Sequence, residues 1–164
     1  MSFVKYKVQE HFFSRKKGYT ITDESGRLIG TVKRHFFSPV KRATFLNEAE
    51  DEVLTISRKL FSFRKTHFIQ KKGIDVFRIF RTFSLKPTVF VESLTQPDAF
   101  AIQGNIWSSE YAFYKNNAEF AYVSRNIWKL QDAYQVAIQE DEDQYLVLAL
   151  VIVLSLMRKP KKSS

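Results

Sequence analysis

Three histidines, five glycines and no cysteine leave this chain few routes to covalent chemistry. Without cysteine there is no thiolate nucleophile, no thiolate metal site and no disulfide framework. His11, His35 and His67 stand far apart in the sequence, each beside a phenylalanine. A lone histidine at a strand end is more often structural than a ligand. No phosphate-cradling glycine loop, G-x-S-x-G elbow or H-E-x-x-H helix occurs. Glu140, Asp141, Glu142 and Asp143 could hold a hard cation such as Ca²⁺, but the start of a helix explains them more simply. Glu48, Glu50, Asp51 and Glu52 read as a solvated turn. The expectation is a protein that is not an enzyme and holds no cofactor or metal.

What the chain has in quantity is cations and phenylalanines. It carries 26 Lys and Arg against 17 Asp and Glu, a net charge of +9, and sixteen Phe. The excess lies early: 19 basic against 8 acidic residues through Pro87, then 7 against 9. The tetrapeptide His-Phe-Phe-Ser occurs twice beside bases, as His11-Phe12-Phe13-Ser14 before Arg15-Lys16-Lys17 and as His35-Phe36-Phe37-Ser38 before Pro39-Val40-Lys41-Arg42. Further doublets are Lys33-Arg34, Arg58-Lys59, Arg64-Lys65 and Lys71-Lys72. A doublet inside a strand would bury one charge, so these belong at strand ends. The expected anionic-ligand contacts are Lys16, Lys17, Lys33, Arg34, Lys41 and Arg42, gathered at one end of the molecule. Phe12, Phe13, Phe36 and Phe37 are candidate membrane wedges, insertion of rings beside cations being how peripheral proteins hold anionic lipid. The competing reading packs one ring of each pair in the core.

These residues need a scaffold. A length of 164 residues with 45% apolar content is one domain with a sizeable core. Alternation marks strands: Val4, Tyr6 and Val8; Phe77 and Ile79; Phe100 and Ile102; Tyr134, Val136 and Ile138. Turn signals separate about eleven or twelve such strands. One apolar run, residues 145–157, is broken only by Ser155. Acids precede it and bases follow, the polarity a helix dipole favours. Asp141 with Gln144 fits a capping box, with Asp143 as the competing cap. Thirteen residues fall short of the roughly 20 a membrane span requires, so a helix over about 143–157 is expected inside the protein. Domain limits of 1–158 leave a basic tail, 159–164. The alternating start of the chain has no signal-peptide pattern, which points to the cytoplasm.

A faint internal repeat relates residues 19–34 to 111–125, each a strand, a polar turn and a strand, with Gly30 and Ala121 equivalent. Small residues there would let a central helix approach closely. Together with Ile29-Gly30-Thr31-Val32, Phe120-Ala121-Tyr122-Val123-Ser124-Arg125 and the acid-then-apolar helix start, this resembles the LURP-one-related family of the Tubby C-terminal-like superfamily. Members often carry an acid near the helix end, where this chain has Ser155 and Leu156. The resemblance implies a closed antiparallel barrel of twelve strands, free of open edges, around a buried hydrophobic helix. It also implies a non-enzymatic binding module, since relatives include phosphoinositide-binding Tubby domains and scramblase-like membrane proteins; a monomer is expected. The expected partner is an anionic phospholipid or phosphoinositide surface, reached from the cytoplasm. The alternatives are a nucleic-acid-binding or regulatory protein and a protein-interaction scaffold.

Overall fold

The computed structural model describes residues 2–11, 18–35, 41–58, 66–82, 88–125 and 133–158. Twelve strands precede one helix: β1 Phe3–His11, β2 Gly18–Asp23, β3 Leu28–His35, β4 Lys41–Asn47, β5 Glu52–Arg58, β6 Thr66–Lys71, β7 Ile74–Arg81, β8 Val89–Ser93, β9 Phe100–Asn105, β10 Glu110–Lys115, β11 Ala118–Arg125, β12 Ala133–Gln139 and α1 Gln144–Arg158. They form one antiparallel sheet in the order β8-β7-β6-β5-β4-β3-β2-β1-β12-β11-β10-β9. The first and last strands of the chain meet where β12 pairs with β1.

The sheet curls around α1, whose residues from Val147 to Ser155 are all buried. Apolar residues of every helix face point at strands, which is the burial expected of a helix hydrophobic all round. No helix among the described residues is long and apolar enough to cross a membrane. Asp143 caps α1, its Oδ1 accepting from the Leu146 amide at 3.2 Å. Gln144 anchors the same end instead of completing a box with Asp141. Its Nε2 donates to the Gln139 and Glu142 carbonyls, both at 2.8 Å, while Tyr6 donates its hydroxyl to Oε1 at 3.1 Å.

The barrel differs from a closed one at a single seam. β8 and β9 are the ends of the sheet and share no hydrogen-bond ladder. Side chains join the elements flanking this gap. Phe77 meets Phe100 edge to face at 5.1 Å, and the Arg81 guanidinium lies 4.7 Å from the centre of the Trp107 ring. The internal repeat has a common register. Tyr19 pairs with Val32 and Ile21 with Gly30 before a bulge; Tyr111 pairs with Val123 and Phe113 with Ala121 before another. Gly30 is small for a reason other than the helix: a Cβ there would lie 2.6 Å from the Leu46 carbonyl oxygen and 2.9 Å from a Phe45 ring carbon.

Antiparallel order places alternate strand ends at the same pole. At the pole of the helix C-terminus, β1, β3, β5, β7 and β11 finish on His11, His35, Arg58, Arg81 and Arg125, and α1 on Arg158. The opposite pole carries the turns with Asp23, Glu24, Glu48, Glu50, Asp51, Asp98 and the acids 140–143. Each pole complements the partial charge of its helix terminus. Among the described residues the charge is thus divided between the two ends of the barrel, acids from both halves of the sequence meeting at one pole.

Candidate functional site

The inward stripes of several strands turn from apolar to polar at the basic end. On β3, Val32 is followed inward by Arg34; on β5, Leu54 and Ile56 by Arg58; on β1, Tyr6 and Val8 by Glu10. β6 enters through His67, two residues before Ile69. The register sets these groups side by side: Arg34 opposite Ala43, Ala43 opposite Ile56, and Arg58 opposite His67. Arg34, Arg42, Arg58 and His67 line a cavity of about 100 Å³ floored by Ile56, Leu156 and Met157. That volume is roughly three waters' share of liquid, room for one phosphate-sized group. His67 is buried, Arg34 and Arg58 are half-buried, and Arg42 is exposed.

Beside this cavity lies a buried hydroxyl cluster. Tyr19 and Tyr134 place their hydroxyls 3.1 and 3.3 Å from Ser155 Oγ. Arg158 donates to Tyr134 and to Ser109 Oγ, and its guanidinium lies 5.0 Å from the centre of the Tyr134 ring. Burial pushes the Tyr19 hydroxyl far above the usual tyrosine range, the Glu10 charge adds to this, and the Ser155 hydrogen bond works against it. Arg34 also lowers it, so Glu10 and Arg34 both act on this group from the barrel mouth. Burial likewise raises the Tyr111 hydroxyl. The site is therefore cationic at its opening, with one buried carboxylate, Glu10, and neutral hydroxyls behind it.

Of the residues expected to contact an anion, Arg34 and Arg42 line this one cavity. Lys33 lies at the same strand end with its side chain on the outer face, exposed. Only the backbone of Lys41 is described. Lys16, Lys17, Phe12, Phe13, Phe36 and Phe37 lie outside the described residues. Arg58 and His67 complete the cavity and carried no separate signal beyond a basic doublet and a lone histidine. The inward parity of Arg58 with Leu54 and Ile56 was the cue. Lys71 and Lys72 lie at the other pole. In the two His-Phe-Phe-Ser segments the histidines act alike: Nε2 of His11 sits 2.6 Å from Thr20 Oγ1, and Nε2 of His35 sits 2.8 Å from Thr44 Oγ1. Among the described residues, no group of acids and histidines could hold a metal ion.

No curated protein sequence matches this chain. A crystal structure of a protein from Arabidopsis thaliana shares its fold, with a TM-score of 0.69 and 19% identity, over 96% of this chain and 93% of that one. The sequence model of the LURP-one-related family matches residues 4–155, nearly the whole barrel and helix. The chain belongs to the LURP-one-related family.

Proposed function

We propose that this barrel is a non-enzymatic binding module that docks its basic pole on anionic phospholipid, seating a phosphate of a phosphoinositide headgroup in the cavity of Arg34, Arg42, Arg58 and His67. The observation that carries the reading is that two inward-facing arginines, Arg34 and Arg58, and buried His67 line one small space, with exposed Arg42 at its edge. A guanidinium fork matches phosphate oxygens bidentately, and a low-dielectric floor strengthens each such bond. The charge split gives direction. The acidic turns at the far pole are repelled by an anionic membrane while the basic pole is drawn to it, so the molecule approaches end-on. A cavity of about 100 Å³ suits one headgroup phosphate better than a run of nucleic-acid backbone.

The test is flotation of the full chain with neutral phosphatidylcholine vesicles, the same vesicles containing a phosphoinositide, and duplex and single-stranded oligonucleotides in competition. Binding to the phosphoinositide vesicles alone, weakening with added salt, is the expected result. Equal binding to neutral vesicles, or tighter binding to oligonucleotides, would overturn the reading.

A further inference from the structure

The acidic pole holds a second cavity, of about 340 Å³, between α1 and the strands flanking the β8–β9 seam. Its floor is apolar: Phe77, Phe100, Phe120, Val147 and Leu150. The rings meet edge to face, Phe77 with Phe100 at 5.1 Å and Phe100 with Phe120 at 5.8 Å. Its rim is charged. Lys115 Nζ pairs with Glu142 Oε1 at 2.6 Å and Lys71 Nζ with Asp143 Oδ2 at 3.2 Å, while Asp98 accepts from Asn116. The Lys71–Asp143 pair also lines a neighbouring cavity of about 370 Å³, so this one exposed pair stands between the two spaces.

We propose that the 340 Å³ cavity binds a small amine with an aromatic body, its ring on the phenylalanines and its ammonium among the rim carboxylates. Size supports the body: an apolar cavity of about 150 Å³ accepts benzene, so this one accepts a bicyclic ring. Charge supports the head. The lining carries Asp98, Glu142 and Asp143 against Lys71 and Lys115, and the same turn adds Glu140 and Asp141. Aromatic faces also attract a cation, and Phe120 already receives one, with Lys115 Nζ 5.5 Å from its ring centre. An anionic head would have to take a lysine from its carboxylate, whereas Asp98, whose partner is the neutral Asn116 amide, can receive an ammonium without freeing a lysine. Access comes from the seam, where no backbone ladder ties β8 to β9.

The experiment titrates the full chain with tryptamine and, separately, with indole-3-propionate, which has a similar body and the opposite charge, followed by amide NMR shifts. Tryptamine should saturate, with shifts confined to the cavity's lining on β7, β9 and β11, the ends of β6, β8 and β10 with the turn after β8, and the start of α1 with the turn before it, and should bind roughly tenfold tighter than the acid. Glu142→Gln should weaken tryptamine roughly fivefold without changing the melting temperature by more than a few degrees. Leu146→Phe, at a half-buried rim position, should narrow the cavity and weaken it as well. The proposal is overturned if indole-3-propionate binds as tightly, if neither saturates at millimolar concentration, or if the shifts map elsewhere.

Discussion

Ser155 shows how one side chain ties the helix to the wall. It interrupts the apolar run, yet it is buried, because Tyr19 and Tyr134 bring hydroxyls to it from β2 and β12, the strands on either side of β1. Ser155→Ala removes the bond to Tyr19 and should cost about 1–3 kcal/mol in urea unfolding, the usual penalty for a stranded buried hydroxyl. Adding Tyr19→Phe should cost less than the two single changes summed, since both partners then go together. Tyr19 and a second buried tyrosine, Tyr111, set an alkaline limit. Tyr19 and Tyr111 are raised by burial, so the fold holds them protonated. The unfolded chain releases these protons near pH 10, the folded chain only higher. Their contribution is therefore intact below about pH 10 and falls as pH rises beyond it. Circular dichroism across pH 8–12 should show stability lost on the alkaline side, and Tyr19→Phe should make that loss shallower. The break at Ser155 was legible in the sequence. Its partners were not, because they depend on how far α1 is inserted and rotated in the barrel.

At the scale of elements, alternation identified the strands well because inward residues face a helix and outward ones face solvent. Tyr6 and Val8, Phe77 and Ile79, and Val136 and Ile138 all point into the core. The helix was legible from thirteen apolar residues too short for a membrane. The seam was not: which strands fail to pair is a non-local outcome that neither β8 nor β9 encodes in its own pattern. Leu150 tests the helix. It is 1% exposed at the centre of the barrel, so Leu150→Lys places an uncompensated charge there and should leave the chain unfolded by circular dichroism. A folded, monomeric Lys variant would contradict a helix enclosed by strands. Gly18 tests the close approach of β2 and β3. A Cβ there would stand 2.0 Å from the Val32 carbonyl oxygen, whereas at Gly26, in a turn with φ of 88°, it would touch nothing. Gly18→Ala should then cost about 1–3 kcal/mol or more through overpacking, and Gly26→Ala about 1 kcal/mol through backbone strain alone. Thermal melts of both variants give the comparison.

The whole molecule is a dipole. Strands that rise toward the helix C-terminus end on bases, and the turns at the helix N-terminus carry acids. The order of the sequence does not show this, because the acids of that pole come both before Pro87, as Asp23, Glu24, Glu48, Glu50 and Asp51, and after it, as Asp98 and the acids 140–143. Arg34 and Arg42 were identifiable as doublet members, but their meeting with Arg58 and His67 required the register of four strands. The most direct test is co-sedimentation with phosphoinositide-containing vesicles of wild type, an Arg34→Gln/Arg58→Gln variant and a Lys72→Gln variant at the opposite pole. With about 1 kcal/mol per surface cation, the double variant should bind roughly thirtyfold more weakly, and Lys72→Gln should bind like wild type. Unchanged binding by a folded double variant, or an equal loss with Lys72→Gln, would contradict a phosphate site at the basic mouth of the barrel.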